Sequence, residues 1–185
     1  MKMRRTTATL LVLVSATAFG AEGARSSPSA SAPPAGTKYV SERYGYEMVL
    51  RGKYTMIQAL FQWDGAFPFG DSGKVDLILD PKDRKFIVAA KPVSRSMSLS
   101  HWEAFVVGVK RQACDRLRDF RSTSLGGVPA REFVNRCPGY DVITLAALNK
   151  GRGYLLEYVS PTNFSAATDH RTYEAGRRAF RFTQT

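Results

Sequence analysis

Residues 130–159 read AREFVNRCPGYDVITLAALNKGRGYLLEYV and contain the clearest indication of the fold. Three segments of this stretch, at 130–137, 142–148 and 154–159, are rich in apolar and β-prone residues. Pro138-Gly139 separates the first two segments, and the glycine-rich residues 149–153 separate the last two. Short turns of this kind join antiparallel neighbours, because a parallel pair needs a long crossover connection. The stretch therefore predicts three consecutive antiparallel strands.

Further strands are predicted upstream. Large apolar residues alternate with other residues over 44–48, as in a half-buried strand, and a second strand is predicted at 58–63. The apolar segments 75–79 and 86–90 flank the turn residues Asp-Pro-Lys-Asp at 80–83, which predicts a hairpin.

Two helices are predicted between and after these strands. Ser98 or Ser100 can cap the first helix, whose apolar residues recur at three- or four-residue steps: Trp102, Phe105, Val106, Val109, Ala113 and Leu117. Gly126-Gly127 and Pro129 then interrupt the chain. A second helix is predicted to start near Thr168, with one face formed by Tyr173, Gly176 and Phe180. Two helices among many strands joined by short turns predict an α+β fold with an antiparallel sheet covered by helices.

The first eighteen residues have the layout of a secretory signal peptide. Lys2, Arg4 and Arg5 precede an apolar run at 8–14, which is followed by small residues up to Ala18. This run is too short to cross a membrane as a helix, which takes about 20 residues. The sequence predicts cleavage between residues 18 and 23 and a secreted or extracytoplasmic protein without a transmembrane segment.

The rest of the chain divides into two parts. Residues 19–38 are small, polar and rich in proline, which predicts a disordered spacer. Residues 39–185 have the usual length of one domain with a single core.

The charge pattern limits the possible partners. The predicted signal peptide holds three of the 27 basic residues and none of the 16 acidic ones, so the exported chain carries +8. Acidic residues are interleaved with the basic ones, and no run of like charge reaches five. This pattern favours a solvated, arginine-rich surface over a site for a polyanion such as an acidic polymer, an anionic lipid surface or nucleic acid, because such a site requires clustered basic residues.

Cys114 and Cys137 are the only cysteines. In an exported chain two cysteines predict a disulfide, which would connect the first helix to the sheet. Closing a loop of about 24 residues contributes ~3 kcal/mol in the chain-entropy model. The alternative is a catalytic thiol with His101 or His170 as its base, but no flanking sequence supports it.

Metal sites find little support in the sequence. The two histidines and two cysteines lack the local pairing of a zinc site. Five aspartates lie close together but lack the pattern of a calcium-binding loop and suit turns better: Asp64, Asp71, Asp76, Asp80 and Asp83.

Catalytic groups are also few. Ser100-His101 and Asp169-His170 are neighbours along the chain, which seldom lets two side chains face each other as nucleophile and base must. Carboxylates remain an alternative, because three of them could meet across a sheet and a helix: Glu103, Glu132 and Glu157. Each also suits a solvated face or a strand edge. The sequence predicts no catalytic residue, metal or cofactor, and therefore a protein that is not an enzyme.

Aromatic residues cluster in FQWDGAFPFGDSG at 61–73, where turn-forming residues are frequent. One interpretation is a loop that packs over the sheet edge. The other is a contact surface for a partner or ligand, formed by Trp63, Phe67 and Phe69.

The chain resembles the Mog1/PsbP-like domain superfamily over about residues 39–182. The resemblance rests on an ordered series of segments: YGYEM at 44–48, FQWDG at 61–65, SLGGVPAREF at 124–133, NKGRG at 149–153, YLLEY at 154–158 and RRAFRF at 177–182. Residues 51–54 depart from the family, which commonly has a proline and a tryptophan there. The resemblance implies an α-β-α sandwich around a mainly antiparallel sheet, used for binding rather than catalysis. Members of the superfamily associate with photosystem II or bind a small GTPase, but no motif for either partner is present here.

These observations favour an exported, non-enzymatic accessory or binding protein whose partner is a protein or a cell-envelope component. A small secreted hydrolase is one alternative and requires polar groups that converge in a pocket. Another is a basic module that adheres to an anionic cell-envelope polymer. It requires two sets of basic residues to form one surface: Lys110, Arg111, Arg116, Arg118 and Arg121 with Arg171, Arg177, Arg178 and Arg181.

Overall fold

The computed structural model describes residues 36–66, 73–114, 116–161 and 166–183. The predicted signal peptide at 1–18 and nearly all of the predicted spacer at 19–38 lie outside these residues. Phe67, Phe69 and Asp71 lie outside them as well.

The described residues form ten strands and two helices: β1 Thr37–Ser41, β2 Tyr46–Leu50, β3 Thr55–Ile57, β4 Asp76–Leu79, β5 Lys85–Pro92, α1 Leu99–Lys110, β6 Arg116–Leu125, β7 Val128–Cys137, β8 Tyr140–Asn149, β9 Arg152–Pro161, α2 Ala166–Ala179 and β10 Phe180–Phe182. Three strands form a small sheet in the order β1-β2-β10, and seven form a large sheet in the order β3-β4-β5-β9-β8-β7-β6. All strand pairs are antiparallel. The predicted α+β class is confirmed.

The strands predicted from residues 130–159 lie at and beside the centre of the large sheet. β7, β8 and β9 pair in sequence order, and eight consecutive residues of β9 are buried. Lys150 and Gly151 connect β8 to β9 with φ values of 47° and 74°. Positive φ at both central residues is the geometry of a tight hairpin turn whose twist matches that of the strands. The glycine-rich segment therefore sets the register of this hairpin.

Helices cover both faces of the large sheet. Trp102 of α1 donates from Nε1 to the carbonyl of Tyr154, 3.0 Å away, and fixes α1 on one face. Tyr173 of α2 donates to the carboxylate of Glu132 and fixes α2 on the other face. The small sheet lies on the α2 side, where the Tyr154 hydroxyl donates to the Tyr44 carbonyl over 2.8 Å. The layers are thus α1, the large sheet, and α2 together with the small sheet.

The prediction of a strand at 58–63 is wrong. The strand in this region is β3, which ends at Ile57. After it the backbone bonds to irregular partners, since the Ala59 amide donates to the Asp76 side chain and the Leu60 and Phe61 amides both donate to the Gly73 carbonyl. Apolar composition alone did not distinguish this anchored loop from a strand.

The first helix is shorter than its apolar pattern predicts. α1 begins after the Ser98 cap, one of the two predicted caps, and ends at Lys110. The amide of Ala113 then bonds to the Lys110 carbonyl, three residues back, which tightens and closes the helix. Leu117 therefore lies in β6 rather than on the helix.

Two short strands extend the domain beyond the predicted elements. β1 begins at Thr37 and so includes the last two residues of the predicted spacer, of which Lys38 forms a 2.6 Å ion pair with Glu47 of β2. Phe180, predicted on the second helix, instead starts β10 and pairs with Met48 of β2.

Cys114 and Cys137 are joined by a disulfide, with a Cα–Cα distance of 4.3 Å. Cys114 lies just after α1, and Cys137 is the last residue of β7. The bond thus holds the connection from α1 to β6 against the large sheet, close to the predicted arrangement. Within the described residues, neither helix has the length and apolar character needed to cross a membrane.

Candidate functional site

The loop after β3 presents the most exposed large apolar side chains in the described residues. Leu60 is 70% exposed and Phe61 is 63% exposed, and Ile57 at the end of β3 is 41% exposed. We call Leu60 and Phe61 the exposed pair. Two adjacent large apolar side chains in water are unfavourable for an isolated chain, because each loses the stabilisation that burial provides.

Hydrogen bonds to other parts of the domain hold the backbone of the exposed pair in place. The amides of Leu60 and Phe61 donate to the Gly73 carbonyl over 2.9 and 2.7 Å. On the preceding side, the Ala59 amide donates to Asp76 over 2.7 Å, and the Ala59 carbonyl accepts from Arg43 over 3.0 Å. The exposed pair is therefore bound to the domain on both sides of the loop.

Tyr44 supports the same loop from within the core. Its hydroxyl donates to the Lys74 carbonyl and accepts from the Trp63 amide over 3.2 Å. Burial, with a further contribution from Asp76, raises the pKa of Tyr44 to about 12. The hydroxyl consequently keeps its proton at neutral pH and remains a hydrogen-bond donor.

Trp63 does not lie on the surface. Its side chain is 2% exposed, and its ring contacts Trp102 and Phe105 of α1 at centroid distances of 6.2 and 6.4 Å. Gly65 follows at a φ of 98°, where an added Cβ would come within 2.8 Å of the Phe105 ring. Trp63 therefore anchors the loop to α1, and its predicted use as a contact residue does not fit its burial.

Asp64 closes the end of the described loop. Its carboxylate accepts from the Lys74 ammonium and from the Ala66 amide, each over 2.9 Å. These bonds, with that to Lys74 the strongest, lower the pKa of Asp64. The side chain fits a turn-stabilising role, as the sequence indicated.

The predicted catalytic alternatives are separated by the sheet. Glu157 and Thr144 are cross-strand partners on the α1 face, where Glu157 forms an ion pair with Lys110. Glu132 points to the α2 face, where it binds Tyr173 and Arg121. Glu132 and Glu157 therefore cannot act on one substrate as an acid and base pair.

The remaining candidates also lie in separate places. Glu103 forms a 3.5 Å ion pair with Arg131 on the α1 side. His101 is exposed in the first turn of α1, and His170 is exposed on α2, with its ring 6.5 Å from that of Tyr173. Among the described residues, no group of three or more histidine, cysteine or acidic side chains could hold a metal ion.

The basic residues proposed for a polymer surface do not form one row. Lys110 is fully buried against Glu157. Arg121 is paired with Glu132, and Arg177 is paired with Glu174 at 2.7 Å. The alternative of a continuous polyanion surface through these residues is contradicted by the burial of Lys110 and by these ion pairs.

The packing of α1 on one face of the large sheet, and of α2 with the small sheet on the other, defines the class: the chain has a PsbP-like fold. No protein-family model matches the sequence, and no curated protein matches it. Its structure is similar to cyanobacterial PsbP (CyanoP) from Synechocystis, with a TM-score of 0.55, 13% identity, and coverage of 86% of this chain and 99% of that chain.

It is also similar to LpqN of Mycobacterium tuberculosis, a protein involved in cell envelope biogenesis, with a TM-score of 0.52, 10% identity, and coverage of 80% of this chain and 86% of that chain. Likeness at such low identity shows the fold alone. The resemblance inferred from the sequence is confirmed at this level.

Proposed function

We propose that this chain is an exported, non-enzymatic binding protein that captures a protein partner in the cell envelope through Leu60 and Phe61. The main observation in support is that these two exposed side chains project from a loop held by hydrogen bonds to Gly73 and anchored by buried Trp63. An apolar anchor whose backbone is already held by hydrogen bonds loses less conformational entropy on binding, so more of its burial energy contributes to affinity. Phe67 and Phe69, which the sequence predicted as contact residues, are proposed to take part in binding the same partner.

The proposed location rests on three features. Residues 1–18 have the charge and apolar pattern of a signal peptide. The disulfide between Cys114 and Cys137 is of a kind that persists in oxidising compartments. LpqN, which shares the fold, is named for a role in cell envelope biogenesis. We accordingly propose a signal peptide, a spacer that ends near residue 36, and one PsbP-like domain.

The proposal of a non-enzymatic role rests on the use of the polar residues. The buried carboxylates of Glu132 and Glu157 each neutralise a basic side chain and lie on opposite faces of the sheet. These are positions in which a carboxylate supports the fold. The geometry offers the hydrolase alternative no converging set of groups in the described part of the chain.

Export predicts a shortened chain in native cells. We expect the mature protein to begin near Phe19 and to occur outside the cytoplasm, because the apolar run ends in small residues suited to signal peptidase. N-terminal sequencing of the protein from an extracytoplasmic fraction measures this directly. Recovery of intact Met1 as the main species would contradict the proposal.

The exposed pair predicts a loss of affinity without a loss of stability. We expect the double substitution L60S/F61S to weaken capture of the partner by at least ~10-fold, since anchor residues contribute more than about 1 kcal/mol each. The free energy of unfolding should change by less than about 0.5 kcal/mol per site, because both side chains are exposed. The measurement is titration of the immobilised mature protein with the partner isolated from the native envelope fraction.

Phe120→Ser is the matched control, since Phe120 is an aromatic residue 50% exposed on β6, outside the loop that carries the exposed pair. It should bind the partner as the wild type does. Equal binding by L60S/F61S and the wild type would show that the contact surface lies elsewhere.

A further inference from the structure

A basic groove lies between the end of β2 and the side of α2. Arg51 and Tyr54 line one wall, and Arg171 and Arg178 line the other, around a volume of about 660 Å³. Val49 and Ala175 give the groove an apolar part. We call this feature the arginine groove. None of its lining residues belongs to the loop of the exposed pair, so the two features are separate.

The two walls come from distant parts of the sequence but meet for structural reasons. Tyr173 binds Glu132 on the large sheet, and Gly176 lies against the ring of Phe86, so α2 is seated with Arg171 and Arg178 directed away from that sheet. These two arginines are seven residues apart, or two helical turns, and share one side of α2. β2, a strand of the small sheet, runs beside α2 and ends at Leu50. Arg51 therefore lies opposite Arg171 and Arg178.

Positive charge in the groove exceeds the nearby negative charge. Within the described residues Arg51 has no acidic partner, and Arg171 makes only a 3.4 Å hydrogen bond to the Thr168 hydroxyl. Arg178 lies 3.5 Å from Glu174, but that carboxylate is bound more closely by Arg177, at 2.7 Å. The carboxylate of Glu174 is therefore bound mainly by Arg177, and the groove keeps a net positive charge.

The groove continues into a smaller cleft of about 200 Å³, and the two share Arg51 and Tyr54. Lys53 and Lys82 line this extension. Its one lining carboxylate, Asp80, is 4% exposed and is paired with Arg84. The extension thus adds basic groups without an accessible acidic one among its lining residues.

We propose that the arginine groove binds a phosphate ester, with the phosphate held by Arg51, Arg171 and Arg178 and the organic group packed on Val49, Tyr54 and Ala175. Guanidinium groups match phosphate oxygens with paired N–H donors, and several of them together neutralise a dianion. The volume lies within the usual range for small-molecule sites, about 300–1,000 Å³, and is larger than a bare anion needs. The apolar wall accounts for the organic part.

Phenyl phosphate tests the site by isothermal titration calorimetry, with inorganic phosphate as the comparison. We expect saturable binding of phenyl phosphate to the mature protein, at least ~10-fold tighter than that of inorganic phosphate, because the phenyl ring adds apolar contact with the groove. Added salt should weaken the binding, since the groove is open to solvent. Absence of saturable binding, or equal affinity for inorganic phosphate, would overturn the proposal as stated.

Two variants with the same net charge distinguish specific binding in the groove from a general effect of charge. R51Q/R171Q should lose at least ~10-fold in affinity for phenyl phosphate, because each removed guanidinium is worth up to a tenfold change at a phosphate contact. R95Q/R116Q removes the same charge from other exposed positions and should bind as the wild type does. All four arginines are exposed, so circular dichroism should show both variants folded. Equal losses in the two variants would show a general charge effect and overturn the site.

Two sources could supply the phosphate ester, and vesicles distinguish them. The source is a lipid headgroup if the wild type floats with phosphatidylglycerol vesicles but not with phosphatidylcholine vesicles, and if R51Q/R171Q abolishes this flotation. Binding of phenyl phosphate without vesicle binding would identify a soluble ester. L60S/F61S should retain phosphate binding in either case, so the groove and the proposed protein contact are tested independently.

Discussion

Replacing Glu157 with glutamine is expected to lower the free energy of unfolding by about 3–5 kcal/mol, because it removes the carboxylate that forms an ion pair with the buried ammonium of Lys110. Both side chains of this ion pair are fully buried, between the last residue of α1 and the centre of β9. Burial raises the pKa of Glu157 and lowers the pKa of Lys110, and each charge opposes the shift of the other. Urea denaturation of the mature protein measures the change.

The matched control removes both charges together. K110M/E157L replaces the pair by apolar side chains of similar size. Its free energy of unfolding should be about 3–5 kcal/mol higher than that of E157Q, and therefore near that of the wild type or above it. A loss in the double variant as large as in E157Q would show that packing, and not the loss of the ion pair, is responsible. A change below about 0.5 kcal/mol in E157Q would contradict the burial of the pair, since such small changes are typical of surface positions.

Removing the disulfide is expected to have the second largest effect. C114A/C137A should lower the free energy of unfolding by about 3 kcal/mol, because the bond closes a loop of 23 residues in sequence separation and restricts the unfolded chain. For a domain of this size the corresponding fall in Tm is roughly 6–12 °C. Calorimetry of the mature protein with and without a reducing agent measures it.

Reduction provides the control for this prediction. A reducing agent should lower the Tm of the wild type toward that of C114A/C137A and leave the variant unchanged. Thiol titration of the unreduced wild type should find no reactive cysteine. Two titratable thiols, or a variant as stable as the wild type, would contradict the stabilising role of the bond.

The part of the fold that the sequence predicted best is the series β7, β8 and β9. In these strands local and tertiary preferences agree, because apolar segments that are buried in the sheet alternate with glycine turns. β6 was missed for the opposite reason. Its burial pattern is mostly exposed and its residues are largely polar, so pairing with β7, and not composition, makes it a strand.

β3 and β10 were missed because three residues are too few to show a period, and β1 was missed because its first two residues were assigned to the spacer. They are strands only because long-range pairing completes them: β10 and β2, more than 130 residues apart in sequence, bond in register from Phe180 with Met48 to Phe182 with Tyr46. Local sequence does not contain this information.

In the candidate site, too, local sequence predicted some features, and contacts between distant residues determine the others. The sequence left two interpretations of the aromatic segment 61–73, a loop packed over the sheet edge and a contact surface that includes Trp63, and the burial of Trp63 favours packing for that residue. Trp63 is buried because Trp102, on a helix predicted separately, lies where its ring can pack. Leu60 and Phe61 are exposed because their amides bind Gly73 across the loop. The arginine groove likewise depends on residues 120 positions apart, Arg51 and Arg171, which no local pattern brings together.

Site-specific photo-crosslinking in native cells tests the proposed binding role most directly. A photoreactive residue is placed at position 60 in the exported protein, and at position 150 as a control, because Lys150 is exposed on the β8–β9 turn. We predict one discrete protein adduct from position 60, formed outside the cytoplasm, and none from position 150. The absence of an adduct at position 60, or the same adducts from both positions, would contradict a role for the exposed pair in capturing a protein partner.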